Sequence, residues 1–179
     1  MNVMTASAGP GIGIAPLLAR IPGLLGDLRS DHAGKTGAVM IQRGILARAT
    51  DPAIRAFATG PLATEAEHLR LLEAMLAPGQ RSILLPIRRV AGFLPALFGP
   101  RANYATIEAV ETFVDHHHAE RIAKLDHAGA EGALRRLLET CRGEAAAALG
   151  GAARGPLLRA WAFVVGSGSA PAVSAARRV

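Results

Sequence analysis

The sequence predicts an all-α protein, and three observations predict it. Half of its 179 residues are hydrophobic but only 4% are aromatic, and the bulk is Ala, Leu, Gly, Val and Ile, which favours helices packed on helices over sheets. The length suits one domain with a real core and would crowd two. Glycines, prolines and Ser, Asp or Asn residues cut the chain into helix-sized segments. The product is an up-and-down bundle of four principal helices with an additional apolar, membrane-interface helical pair.

Residues 1–24 read as a flexible lead-in, because MNVMTASAGPGIGIAPLLAR is rich in Gly and Pro and has no basic region ahead of its apolar stretch. Residues 25–179 read as a single helical domain. Ser30 or Asp31 can cap a first helix that runs to about Thr50. Asp51 and Pro52 then serve as N-cap and first position of a second helix, which Ala77-Pro78-Gly79 ends near Leu76. The third segment, SILLPIRRVAGFLPALFG at 82–99, is apolar except for Arg88 and Arg89 and is bent by Pro86 and Pro95. It suits a helix lying in a membrane interface with snorkelling arginines, and equally a buried, bent connection. A fourth helix runs from about Asn103 to Leu125, where Asp126 or Gly129 breaks or caps it. A fifth covers about 130–149 and stops at Gly150-Gly151. A last, at about 156–177, follows Gly155-Pro156, is weakened by GSGS at 166–169, and pairs with the third as the apolar layer.

Twenty Lys and Arg against fourteen Asp and Glu give a net charge of +6. The arginines are scattered singly or in pairs with almost no aromatic residues between them, which argues against nucleic acid and for solvated faces. The one cysteine, Cys141, excludes an internal disulfide, fits a reducing compartment and reads as a small core residue. No run of eighteen apolar residues offers a bilayer span. The string DHAG occurs at 31–34 and again at 126–129, a weak hint of two-fold pseudo-symmetry in the bundle.

Chemistry gathers on two helices. In TEAEHLRLL at 64–72, Glu65 and His68 are three residues apart and project from one helix face about 60° apart. This is the spacing by which di-iron carboxylate bundles bring an oxygen and a nitrogen to a metal pair, and also a spacing common on solvated faces. In IEAVETFVDHHHAERI at 107–122, Glu108, Glu111, Asp115 and His118 fall within about 80° of one another on the helical wheel. Such a stripe is either a solvent edge or a ligand row facing a core. His116, His117 and His118 are adjacent and cannot all serve one ion.

SDHAGKTGAVMIQRG at 30–44, EAEHL at 65–69, LLPIRRVAGF at 84–93, AVETFVDHHHAERI at 109–122 and GSGSAPAVSAARRV at 166–179 together resemble the demethoxyubiquinone hydroxylases of ubiquinone biosynthesis. These are ferritin-like di-iron monooxygenases. The resemblance implies a ferritin-like bundle with a carboxylate after DHAG, a Glu-x-x-His in the second helix, a glutamate in the next and a second Glu-x-x-His in the last. Glu65, His68 and Glu111 match that pattern, and His117 matches a histidine that supports the site from behind, with Asp115 and Glu108 beside it. Lys35 stands where the first carboxylate is expected, and the second Glu-x-x-His falls on Ala145 and Ala148, with Glu144 nearby. His118 stands where the family has a tyrosine and Arg88 where it has an aromatic.

Two iron ions in one cage need about four carboxylates to balance charge and bridge them. An ammonium at position 35 repels a divalent ion and can instead pair with Glu65 or Glu111 as their counter-charge. The rival arrangement is a single iron or zinc on Glu65, His68, Glu111 and His118. Three functions follow. The chain binds a polyprenylated quinone or isoprenoid lipid, with Leu84, Leu85, Phe93, Leu97, Phe98, Trp161 and Phe163 as candidates for the tail channel, as an accessory or altered member. Alternatively it is an active monooxygenase using iron, O₂ and a reductant. The third reading is a helical interaction protein without a lipid role. The expected location is cytoplasmic and peripheral, on the inner face of the cell membrane, among other ubiquinone-synthesis proteins, with homo-oligomerisation left open.

Overall fold

The computed structural model describes residues 14–81, 100–130 and 132–148 and positions 156, 159, 160, 163, 174, 175 and 177, with the side chains at 53, 100–105, 107–114 and 143–148 outside that description. The described elements are α1 (Ala15–Arg20), α2 (Leu24–Arg48), α3 (Pro52–Met75), a 3₁₀ turn (Pro78–Gln80), α4 (Pro100–His127) and α5 (Ala133–Ala148). No strand occurs among the described residues, and the all-α bundle expected from composition is the fold observed. No described helix is long and apolar enough to cross a membrane. The apolar segment 82–99 lies outside the described residues, as do most positions of the last helix, so the membrane-interface pair is not visible.

The first principal helix begins at Leu24, not at Ser30 or Asp31. Gly23 turns the chain into it at φ 78°, a left-handed conformation that glycine takes without a Cβ clash. Ser30 and Asp31 are consequently interior positions, each buried, and their side chains reach across the bundle instead of capping. The expected lead-in also shrinks. Ile14 and Ile21, on either side of α1, join Leu24 and Leu28 in the core, so residues 14–23 dock on the bundle.

At Asp51-Pro52 the helix start is where proline's fixed φ and missing N–H place it. α4 closes with a Schellman motif: the Gly129 N–H donates to the Asp126 carbonyl at 2.9 Å and the Ala130 N–H to the Leu125 carbonyl at 2.8 Å, with Gly129 at φ 58°. The two DHAG strings therefore occupy different places. The first lies in the middle of α2 and is mostly buried, while the second ends α4 with Asp126 exposed. They do not mark a symmetric pair of helix starts.

Several arginines serve the helix ends. Arg55 donates to the Leu46 and Ala49 carbonyls after α2, at 2.8 and 3.1 Å. Arg81 donates to the Glu73 and Leu76 carbonyls after α3, at 2.8 and 3.4 Å, and Arg20 to the Ala128 carbonyl after α4. Last-turn carbonyls lack helical partners and carry partial negative charge, which a guanidinium satisfies on both counts. Part of the basic excess is thus structural capping, where the sequence suggested only solvated faces.

α2 packs closely along α3, and α4 along α5, giving two helical hairpins. One apolar cluster holds Leu24, Leu28, Leu72, Met75, Leu76, Leu125, Leu134, Leu137, Leu138 and Cys141. A second, smaller cluster holds Ile41, Ile45 and Ala58 near the other end of α2 and α3. Between them, on α2, α3 and α4, lie Asp31, Lys35, Glu65, His68, His118 and Arg121, each less than a tenth exposed.

Candidate functional site: a buried charged layer

The layer is built from turn-spaced rows on facing helices. Asp27, Asp31 and Lys35 follow at intervals of four along α2, so they stack on one face. His118, Arg121 and Lys124 follow at intervals of three along α4. The two rows run antiparallel and meet across the core. Lys124 Nζ lies 2.7 Å from Asp27 Oδ2 and Arg121 Nη1 donates to Asp31 Oδ1, while His118 Nε2 sits 3.3 Å from that same oxygen. Asp27 also takes Arg177 from the C-terminal segment at 2.9 Å.

On the α3 side, Lys35 Nζ donates to Glu65 Oε1 at 3.0 Å and forms an ion pair with Oε2 at 2.8 Å, an oxygen that accepts no hydrogen bond. His68, one turn along α3, places Nδ1 3.5 Å from Cys141 Sγ on α5. Two cations, Lys35 and Arg121, thus face two carboxylates, Asp31 and Glu65.

Burial would raise the Asp31 carboxyl, but Arg121, His118 and Lys35 together hold it below the usual carboxylate value. His68 is pushed below the ordinary imidazole value by burial first and by Lys35 second, with Glu65 opposing. It is the neutral imidazole that the core accommodates. His32, fully buried on α2, is likewise lowered by burial, with Glu73 at 3.5 Å opposing. The layer keeps some polar capacity: Asp31 Oδ2, Glu65 Oε2, His118 Nδ1 and Arg121 Nε are buried without a hydrogen-bond partner.

The structure brings Lys35, Glu65, His68 and His118 into one layer. The acidic stripe of α4 divides, because a bundle helix touches two neighbours. His118 turns to Asp31 on α2, whereas Asp115 pairs with Arg142 on α5 at 2.8 Å, part-exposed. His116 lies at the surface, 3.3 Å from Glu120, and His117 is half-buried. Glu108 and Glu111 sit on α4, and Ala145 and Ala148 on α5, with side chains outside the described residues. Leu84, Leu85, Phe93, Leu97, Phe98 and Trp161 lie outside them altogether, and Phe163 is exposed. Among the described residues, no three His, Cys, Asp or Glu side chains converge on one point as metal ligands. The sequence reading missed Asp31 and Arg121 as a buried pair. Their signal was the matched spacing of acids on α2 and bases on α4.

A family model described as ubiquinone biosynthesis protein COQ7 matches residues 25–176. The mitochondrial NADPH-dependent 3-demethoxyubiquinone 3-hydroxylase of Dictyostelium discoideum is 36% identical over 111 residues, covering 57% of this chain and 50% of that protein. The chain thus spans about half the length of this relative. A match over most of the chain, on a helical bundle with Glu65 and His68 turned into its core, places it: the chain belongs to the COQ7 family of ubiquinone biosynthesis proteins, the demethoxyubiquinone hydroxylases.

Proposed function

We propose that this chain binds a polyprenylated quinone at a membrane surface as an accessory or altered member of its family, without the normal two-iron centre. The observation that carries the reading is the buried ion pair of Lys35 with Glu65. On this reading the residues present do not fit two iron ions. One ligand position is a lysine, its neighbour carboxylate is already neutralised, and Ala145 and Ala148 stand where an oxygen and a nitrogen are needed. A ring ligand is supported by the buried, unpartnered atoms of Asp31, His118 and Arg121, which can pair with the oxygens of a quinone or quinol. The apolar 82–99 segment and Trp161 are the candidates for the isoprenoid tail, and a peripheral seat on the inner face of the membrane goes with them.

Deleting the gene and extracting quinones tests this reading. The expected result is a reduced ubiquinone pool without build-up of a demethoxy precursor, together with isoprenoid lipid carried through purification of the protein. Precursor build-up, with near-stoichiometric iron on the purified chain, would establish an active hydroxylase on a rearranged Glu65, His68, Glu111 and His118 site. An unchanged pool and a lipid-free protein would leave a helical interaction protein.

A further inference from the structure

We propose that the buried layer selects the reduced, hydroxyl-bearing ring over the oxidised one, with Asp31 and His118 as the groups that read the hydroxyls. The inference deepens the quinone-binding reading above and rests on it. What carries it is the set of donors and acceptors left open in the layer. Asp31 Oδ2, Glu65 Oε2 and His118 Nδ1 are buried without a hydrogen-bond partner, and among the layer's described residues Arg121 Nε is the donor in the same condition. The state of His118 follows from its neighbour. An ionised carboxylate only accepts, so Nε2, 3.3 Å from Asp31 Oδ1, is the nitrogen that carries the proton, and Nδ1 of the neutral ring is a bare acceptor. Lys35 and His68 are already engaged, by Glu65 and Cys141. The open set is therefore rich in acceptors, and each of its residues is less than a tenth exposed, beyond the reach of bulk water.

Ring chemistry then decides between the two redox states. A quinone presents carbonyl oxygens that only accept; on taking up two electrons and two protons it becomes a quinol, whose hydroxyls also donate. Facing this set, a carbonyl is served by Arg121 Nε alone and otherwise sets lone pair against lone pair, which leaves buried acceptors unpaired at the cost of their desolvation. A quinol hydroxyl donates to Asp31 Oδ2 or His118 Nδ1 and can still accept from Arg121 Nε. Although burial opposes it, Arg121, His118 and Lys35 keep Asp31 ionised, so its bond to a hydroxyl is charge-assisted. Sites built to pair a hydroxyl discriminate strongly against the analogue that lacks it.

The test uses the full chain under anaerobic conditions with decylubiquinone, its quinol, and the quinol's dimethyl ether, which keeps the ring and loses both donors. The quinol is expected to bind at least about a hundredfold more tightly than either of the others. The midpoint potential of the bound couple should rise accordingly by at least about 59 mV, since a tenfold preference corresponds to about 30 mV for two electrons. His118→Met and Asp31→Asn are each expected to cut the quinol-to-quinone affinity ratio by at least about tenfold. General loosening of the bundle weakens both forms alike and leaves that ratio unmoved. Asp31→Asn is measured below its lowered Tm, and His118→Met carries the test if that variant does not fold. Quinone or ether binding as tightly as the quinol overturns this inference alone and leaves the quinone reading standing. A quinol preference that neither variant reduces also overturns it, because the layer is then not what reads the hydroxyls. If none of the three probes binds, the quinone reading falls and this inference falls with it.

Discussion

The tie between the two hairpins can be broken with one nitrogen. Replacing Asp31 by Asn keeps shape and volume but removes the charge that faces Arg121 and His118, in a layer where Asp31 is 6% and Arg121 3% exposed. Stranding a buried guanidinium in this way costs about 3–5 kcal/mol. At about 2–4 °C per kcal/mol for a domain of this size, the Tm should fall by roughly 6–20 °C. The loss should be nearly constant above the ordinary carboxylate value of 3.8, because the folded-state pKa of Asp31 is depressed below it. A depressed carboxyl contributes its full stabilisation above the unfolded value and loses it as pH falls through the folded one. The difference between wild type and variant should therefore close only below about pH 4. The pair Asp31→Leu/Arg121→Met should recover most of the loss, since apolar groups of similar size often replace a buried ion pair at little cost. Circular-dichroism melts across pH decide the matter. A single variant within about 0.5 kcal/mol of wild type, the span typical of inert surface changes, would refute the argument.

Other expectations follow from the same geometry. His32 and His68 have folded-state pKa values below 6.5, so their stabilisation is complete above that value and falls as pH drops below it. His32→Leu should flatten the stability profile just below about pH 6.5 by up to one proton's slope, about 1.4 kcal/mol per pH unit, which urea titrations at several pH values would measure. Gly129→Ala forces a Cβ into φ 58° and should cost about 1–2 kcal/mol, with Gly129→Asn milder, read by thermal melts. Leu125→Ala, at a fully buried position of the larger cluster, should cost about 3–5 kcal/mol in a urea titration.

What could be read from the sequence was local. Glu65 and His68 were legible because a three-residue spacing within one helix fixes their common face whatever surrounds them. Helix ends at Pro52 and Gly129 were legible because proline and glycine act through their own backbone. Asp31 was misread as a cap because Ser and Asp usually are caps, and nothing nearby announces Arg121, 90 residues later. The α4 stripe failed for a related reason. An arc of about 80° looks like one surface on a wheel, yet it is wide enough to serve two neighbouring helices, and Asp115 and His118 were shared between them.

A bundle that keeps carboxylates between two apolar clusters must neutralise them, by metal, by proton or by side chain. Among the described residues of this chain, Asp27, Asp31 and Glu65 are each met by a side-chain cation. Lys124 and Arg177 serve Asp27, Arg121 serves Asp31, and Lys35 serves Glu65. Three of these bonds link α2 to α4 or to the C-terminal segment, and the fourth links α2 to α3. Alongside the apolar cluster that Leu24 and Leu28 share with Leu125, these ionic side chains also tie α2 to α4. The charges that set the chemistry of the layer are therefore also among the contacts that join its two halves. A substitution that alters one should alter the other, so stability must be measured alongside ligand binding for every variant of Asp31, Lys35 and Arg121.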